Sequence, residues 1–276
     1  MLSFVSNRLR RKKLNCLTKT LAALFPAIAL LPLSGCASRP DFTINPPAST
    51  EWVTVAVKLP PETEVIPMDV LYRSETCRKE VYDNTTESHV TAVRGLNPKL
   101  VTLQPQGNGD IRQARVAVDG GGRCEWKLSA IRVDIQLKGD DPLASGKHIL
   151  PTSYVFGFDD QAYGSGEGSG RKREVHGDLT LKNELFPMTV FNRVFNENTI
   201  ALFGGDTNYE KWSRHYRLFD SKHILIEPVL YSKKIVSLET PKSRKDSPGM
   251  TVLYPDGSTE KVDDIYPNYD KLLRMK

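Results

Sequence analysis

The sequence predicts an all-β or mostly β fold, an antiparallel sandwich-like domain that ends in a short C-terminal helix. Short runs rich in Val, Ile and aromatic residues alternate apolar with polar positions, and a period of two assigns the two sets to opposite faces of a strand. Clusters of Gly, Pro and Asp separate these runs and mark turns. No long amphipathic helical period and no internal repeat is present. Many short strands with turn chemistry between them point to packed sheets.

Taken in order, the first strand signal spans 52–59, where Val53, Val55, Val57 and Leu59 share a face before Pro60 and Pro61 stop it. Shorter candidates follow at 68–74 and 100–103. Residues 111–118 lead into the turn Asp119-Gly120-Gly121-Gly122, and 124–137 alternate most clearly of all. Ile131, Val133, Ile135 and Leu137 take one face, Arg132, Asp134 and Gln136 the other. Two such runs around a Gly-rich turn predict a hairpin. Further strands are expected at 153–158, 178–181, 188–195, 199–203 and 223–231. Residues 211–219 fit helix or strand, and 233–248, rich in Lys and Pro, read as a loop. A last hairpin joins 250–254 to 260–265 across Pro255-Asp256-Gly257-Ser258, and 267–276 form the helix.

The N-terminus has a different character. Arg8, Arg10, Arg11, Lys12, Lys13 and Lys19 precede an apolar run from Leu21 to Leu33 that closes on Leu33-Ser34-Gly35-Cys36, with no acid before the cysteine. Thirteen residues fall short of the roughly 20 that span a bilayer as a helix, and this order of segments describes a cleaved signal. The four residues resemble the lipobox of bacterial lipoprotein precursors. The resemblance implies cleavage before Cys36 and acylation of its thiol, with palmitate-class chains anchoring the mature protein. Ala37 stands where an Asp would resemble an inner-membrane retention signal. The implied location is the outer membrane, lipid-anchored, on its periplasmic face.

The expected organisation is a signal peptide over 1–35, a tether over 36–51 and a periplasmic β-rich domain over 52–276, with a possible subdivision near 157–174. Removing the signal's six cations from the formal charge of +5 leaves about −1, so the basicity is a targeting feature and not a nucleic-acid footprint. In the implied oxidising compartment, the remaining cysteines Cys77 and Cys124 are expected to close as a disulfide.

Chemistry-bearing motifs are sparse. The GxSxG elbow fails at Ser165 and Ser169, because Tyr163 and Glu167 replace its first glycine. Asp159, Asp160, Glu167 and Glu174 do not follow calcium-loop spacing. Neither a Walker A motif nor a dinucleotide fingerprint occurs. No catalytic residue, metal or cofactor is therefore assigned, and the chain is expected not to be an enzyme.

The Leu33–Cys36 lipobox, the Cys77/Cys124 pair and the β-rich layout together resemble lipoproteins encoded beside type VI secretion phospholipase effectors. That resemblance implies an immunity protein that binds and neutralises a phospholipase toxin in the periplasm. The partner-binding candidates are Tyr163, Glu167, Arg171 and Arg173 on the Gly-rich loop, where a Tyr and charges suit plugging a cleft. The alternatives are a structural or assembly lipoprotein of the envelope and an envelope hydrolase.

Overall fold

The computed structural model describes residues 40–83, 89–107, 110–162, 173–205, 214–243 and 249–276. Cys36 and the expected signal segment lie outside them. Pro40–Lys276 forms one compact unit.

In chain order the strands are β1 (Trp52–Lys58), β2 (Thr63–Val65), β3 (Met68–Asp83), β4 (His89–Val101), β5 (Gln104–Gln106), β6 (Ile111–Ala117), β7 (Asp119–Gly121) and β8 (Trp126–Leu137). A 3-10 turn at Pro142–Ala144 precedes β9 (His148–Ile149), β10 (Thr152–Gly157), β11 (Arg173–His176), β12 (Leu179–Leu181), β13 (Glu184–Asn192) and β14 (Glu197–Phe203). The remainder comprises β15 (His215–Phe219), β16 (His223–Ile226), β17 (Val229–Leu230), β18 (Val236–Glu239), β19 (Met250–Leu253), β20 (Thr259–Val262) and the helix α1 (Tyr269–Leu273). The fold is mostly β with one short C-terminal helix, as the alternation and turn clusters predict. Asn268 caps that helix, its side chain accepting from Lys271 N, which satisfies one of the free N–H groups of the first turn.

Three sheets are built. One runs β12-β16-β1-β6-β5, a second β11-β15-β10-β8-β3-β4, and a third β20-β19-β18-β13-β14-β9. The antiparallel pairs β3/β4, β13/β14 and β19/β20 are local hairpins. Parallel pairs then join distant segments, including β1 with β16, β10 and β11 with β15, and β13 with β18.

The alternating residues build the main core. Val53, Val55 and Val57 of β1 meet Ile131, Val133, Ile135 and Leu137 of β8 there, with Leu185, Ile200 and Leu202 from the third sheet. A second cluster, with Phe186, Phe203, Val236, Leu238 and Val252, is joined by Tyr269 and Leu272 of the helix. No helix among the described residues is long and apolar enough to cross a membrane.

Two local expectations are corrected. The hairpin expected between 111–118 and 124–137 does not form along its length: β6 pairs with β1 and β5, while β8 belongs to the second sheet. The chain changes sheets beside Val118, and only β7 folds back on β8. Gly121 and Gly122, at φ 56° and 71°, make that turn, a backbone region glycine enters freely. The stretch 233–248, expected as a loop, contains β18, where Val236 and Leu238 are buried.

The segment before β1, expected to act as a tether, is described from residue 40. It lies against the second sheet from Phe42 onward: Asn45 N donates to Gly120 O at 2.8 Å, and the Phe42 ring stacks on buried Trp126 at 6.0 Å.

Candidate partner-binding site at the roots of the glycine-rich loop

The loop carrying Tyr163, Glu167 and Arg171 lies outside the described residues, as do Ser165 and Ser169. Its two roots are described, and the strand pairing defines them. β10 and β11 run parallel to the same strand, β15, one on either side of it. Gly157 at the end of β10 pairs with Arg217, and Arg173 at the start of β11 pairs with Tyr216. The chain therefore leaves and re-enters the sheet at nearly the same height, two strand spacings apart, which is roughly 10 Å.

The outgoing root is fixed by charge. Asp159 Oδ2 accepts from Arg94 Nη1 at 2.9 Å, and its Oδ1 accepts from Ser129 Oγ and Gln161 N, each at 2.9 Å. Arg73 Nε donates to Ser129 Oγ at 3.1 Å, and its Nη2 to Gln161 O at 2.7 Å. Arg94 also reaches Glu75, with Nε 3.0 Å from Oε1. Arg73 is only 6% exposed. Desolvation pulls its pKa down, opposed by the Asp159 charge and reinforced by Arg94. A buried cation of this kind is tolerated only where its donors are satisfied and its charge is compensated; Ser129 Oγ and Gln161 O accept from Arg73, and Asp159 supplies the nearby opposite charge.

Ser129 reaches this network because of a backbone irregularity. Leu71 pairs with Ala130 and Tyr72 with Leu128, so Ser129 is the extra residue of a β-bulge. The bulge keeps Leu128 and Ile131 both on the core side, and re-aims Ser129. Asp160, the next carboxylate, is fully exposed and meets Arg217 Nη2 at 3.2 Å.

The returning root opens onto a polar cleft of about 320 Å³ lined by Arg173, Lys182, Asn183, Glu184, Tyr216 and Tyr269. Arg173 itself is exposed. Near this cleft, Arg214 has no carboxylate partner among the described residues. Its Nε donates to Ser153 O at 2.9 Å, another nitrogen to Gly204 O, and its guanidinium lies 5.7 Å from the Tyr154 ring centroid. Desolvation lowers its pKa, while nearby Tyr154, Tyr216, Tyr269 and Tyr266 oppose that shift. Burial raises the Tyr154 phenol, and pushes Tyr269 up to about 12.

Of the residues singled out by sequence, Cys77 and Cys124 are joined in a disulfide with Cα atoms 5.3 Å apart. Arg173 lies at the loop's returning root; the structure does not describe its three companions. His215 and His223 stand on β15 and β16, in different sheets. Among the described residues no three His, Cys, Asp or Glu side chains converge to hold a metal. Sequence reasoning passed over Arg73, Arg94 and Arg214. Their signal was weak, an arginine inside a strand run, which ordinarily points to solvent.

No protein-family model, curated protein or solved structure matches this chain.

Proposed function

We propose that this protein is a binding protein, anchored by lipid at Cys36 on the periplasmic face of the outer membrane, and that it neutralises a secreted phospholipase toxin through its glycine-rich loop. The observation that carries the reading is the rooting of that loop. Asp159, Ser129, Arg73 and Arg94 lock one end to the second sheet, and pairing of β11 with β15 locks the other. Fixing the two ends about 10 Å apart removes part of the freedom the segment would lose on binding, and a lowered ordering cost raises affinity. Tyr163, Glu167, Arg171 and Arg173 are the residues proposed to contact the partner, Arg173 from the returning root.

The test uses residues 40–276 as bait in an envelope extract of cells producing type VI effectors. Support is a retained protein with phospholipase activity, inhibited at one-to-one stoichiometry, with inhibition lost when 163–172 are replaced by a Gly-Ser linker and weakened by Arg173→Glu. Retention of a multi-protein envelope assembly, insensitive to those changes, would replace this reading with a structural role.

A further inference from the structure

The first sheet, β4 and the segment before β1 meet around a groove of about 390 Å³. Phe42, Ile44, Trp52 and Leu100 are among its apolar lining, and among the described residues the charged ones in the lining are Lys99 and Arg115. Three large side chains remain open to solvent at this one place: Phe42 is 49% exposed, Trp52 38% and Leu100 74%. Scattered single apolar residues need no explanation, but a contiguous set around a groove marks an interaction surface.

The cations are arranged on the apolar groups. Lys99 Nζ donates to Phe42 O at 2.9 Å, and the Arg115 guanidinium stands 5.0 Å from the Trp52 ring centroid. Neither pairs with a carboxylate among the described residues. Two acids adjoin lining residues in sequence and lie outside the lining: Asp41 accepts from Thr43 N, and Glu51 stands 3.8 Å from Lys222 Nζ. Aromatic rings with Lys and Arg beside them are the composition that settles at a bilayer's headgroup level, the stems in the apolar zone and the charges among phosphates.

We propose that this face rests on the surface of an anionic phospholipid bilayer, with Phe42, Trp52 and Leu100 at the acyl boundary and Lys99 and Arg115 on lipid phosphates. The proposal rests on the lipid anchor at Cys36, which supplies the argument for the occupant. Phe42 is the sixth residue after Cys36, and a fully extended chain of that length reaches only about 20 Å. An acylated Cys36 keeps Phe42, and with it this groove, within about that distance of lipid. The surface thereby sets the orientation of the domain: the anchor fixes one point, and a flat contact removes the remaining freedom to tilt.

Two measurements test it. Residues 40–276, carrying no lipid, are sedimented with vesicles of phosphatidylethanolamine containing about one-third phosphatidylglycerol, and with pure phosphatidylcholine vesicles. Binding is expected to the anionic vesicles, about five-fold weaker for Lys99→Ala and abolished by Leu100→Asp; Leu100 is exposed, so its variant should melt with wild type, while half-buried Lys99 also gives up its bond to Phe42 O, so its vesicle affinity is read beside its own melting temperature. No binding, or binding that ignores Leu100→Asp, overturns the proposal. Second, the mature protein is reconstituted in vesicles of brominated phospholipid. Quenching of tryptophan fluorescence is expected, and most of it should vanish in Trp52→Phe. Equal quenching in the two, as when the groove holds the protein's own acyl chain or a second copy, also overturns it. Failure of the anchor reading is separate: mass spectrometry would show Cys36 unacylated, and the sedimentation result would then decide the face alone.

Discussion

The carbonyl oxygen of Cys77 occupies the space that a side chain at Gly95 would fill. A Cβ built on Gly95 overlaps that oxygen and also approaches the Trp126 ring to 3.4 Å. The cause is the irregularity in β3, where pairing jumps from Ser74–Gly95 to Lys79–Val93 and the intervening residues arch over β4. The disulfide to Cys124 sits on this arch. Gly95→Ala is expected to cost about 2 kcal/mol, as overpacking does elsewhere. In a Cys77→Ala, Cys124→Ala background the arch can lift, so the same change should cost less. Denaturant melts of the four proteins measure that coupling, and an equal cost in both backgrounds would separate Gly95 from the arch.

The disulfide bridges a sequence separation of 47. Loop-closure entropy assigns a cross-link of that span about 4 kcal/mol, which corresponds to roughly 10 °C in a domain of this size. Scanning calorimetry with and without reductant should show a fall of that order.

Asp159 and Asp160 are neighbours with opposite expectations. Asp159→Ala strips the partners of Ser129 and Arg94 and leaves Arg73 buried beside an unsatisfied hydroxyl, a loss of about 3 kcal/mol. Asp160 is fully exposed, so Asp160→Ala should shift the chemical-denaturation midpoint negligibly. Affinity for any partner of the loop should follow the same order.

Arg214 ties Ser153 O to Gly204 O through separate nitrogens of one planar group. Arg214→Ala leaves two carbonyls without this donor and a void beside Tyr154, and should destabilise by about 3 kcal/mol or more. Arg214→Lys should not restore stability, since an ammonium lacks the fork that spans both acceptors. Thermal melts of the two variants check this.

Asp178 is expected to leave a pH signature in stability. Its Oδ1 accepts from Lys222 N at 2.9 Å and His223 N at 2.8 Å, and these backbone bonds hold its pKa below the usual 3.8. A lowered folded-state pKa means that the unfolded chain binds the proton first on acidification. Its contribution is thus complete above about pH 5 and lost as pH falls through the ordinary carboxylate range towards the lowered value. Asp178→Asn keeps the acceptor but not the titration, so its melting temperature should fall less steeply than wild type below that range.

Much of this architecture was legible where side-chain alternation is driven by burial on one face. Val53, Val55 and Val57 declared β1, and Ile131 to Leu137 declared the inner half of β8. Pairing was less legible, because a strand's pattern says which face is buried and not which strand lies beside it. The residues 111–118 alternate equally well whether their neighbour is β8 or β1. β4 went unrecognised except at its end because it is an edge strand with mixed polar exposure and a proline, Pro98, which only an edge accommodates. β18 was masked by the lysines and prolines around Val236 and Leu238. At the candidate site, the loop's composition was plain, but its anchoring was not. Ser129 becomes a partner of Asp159 only through a bulge, and no local composition announces an extra residue in a ladder.

The position of β1 carries a consequence for how the chain reaches its native state. It is clamped between β6 and β16, with Val55 opposite Ala114 on one side and Ile224 on the other, partners roughly 60 and 170 residues away, and such distant pairing slows folding. As synthesis proceeds from the N-terminus, β1 and β6 can zip early, but the second edge of β1 stays open until residue 226 has emerged. During that interval an apolar valine strand offers unpaired backbone to any passing chain, the condition under which misassembly competes with folding. The rate of acquiring protease resistance should therefore be limited by completion of β16, late in the chain's own emergence.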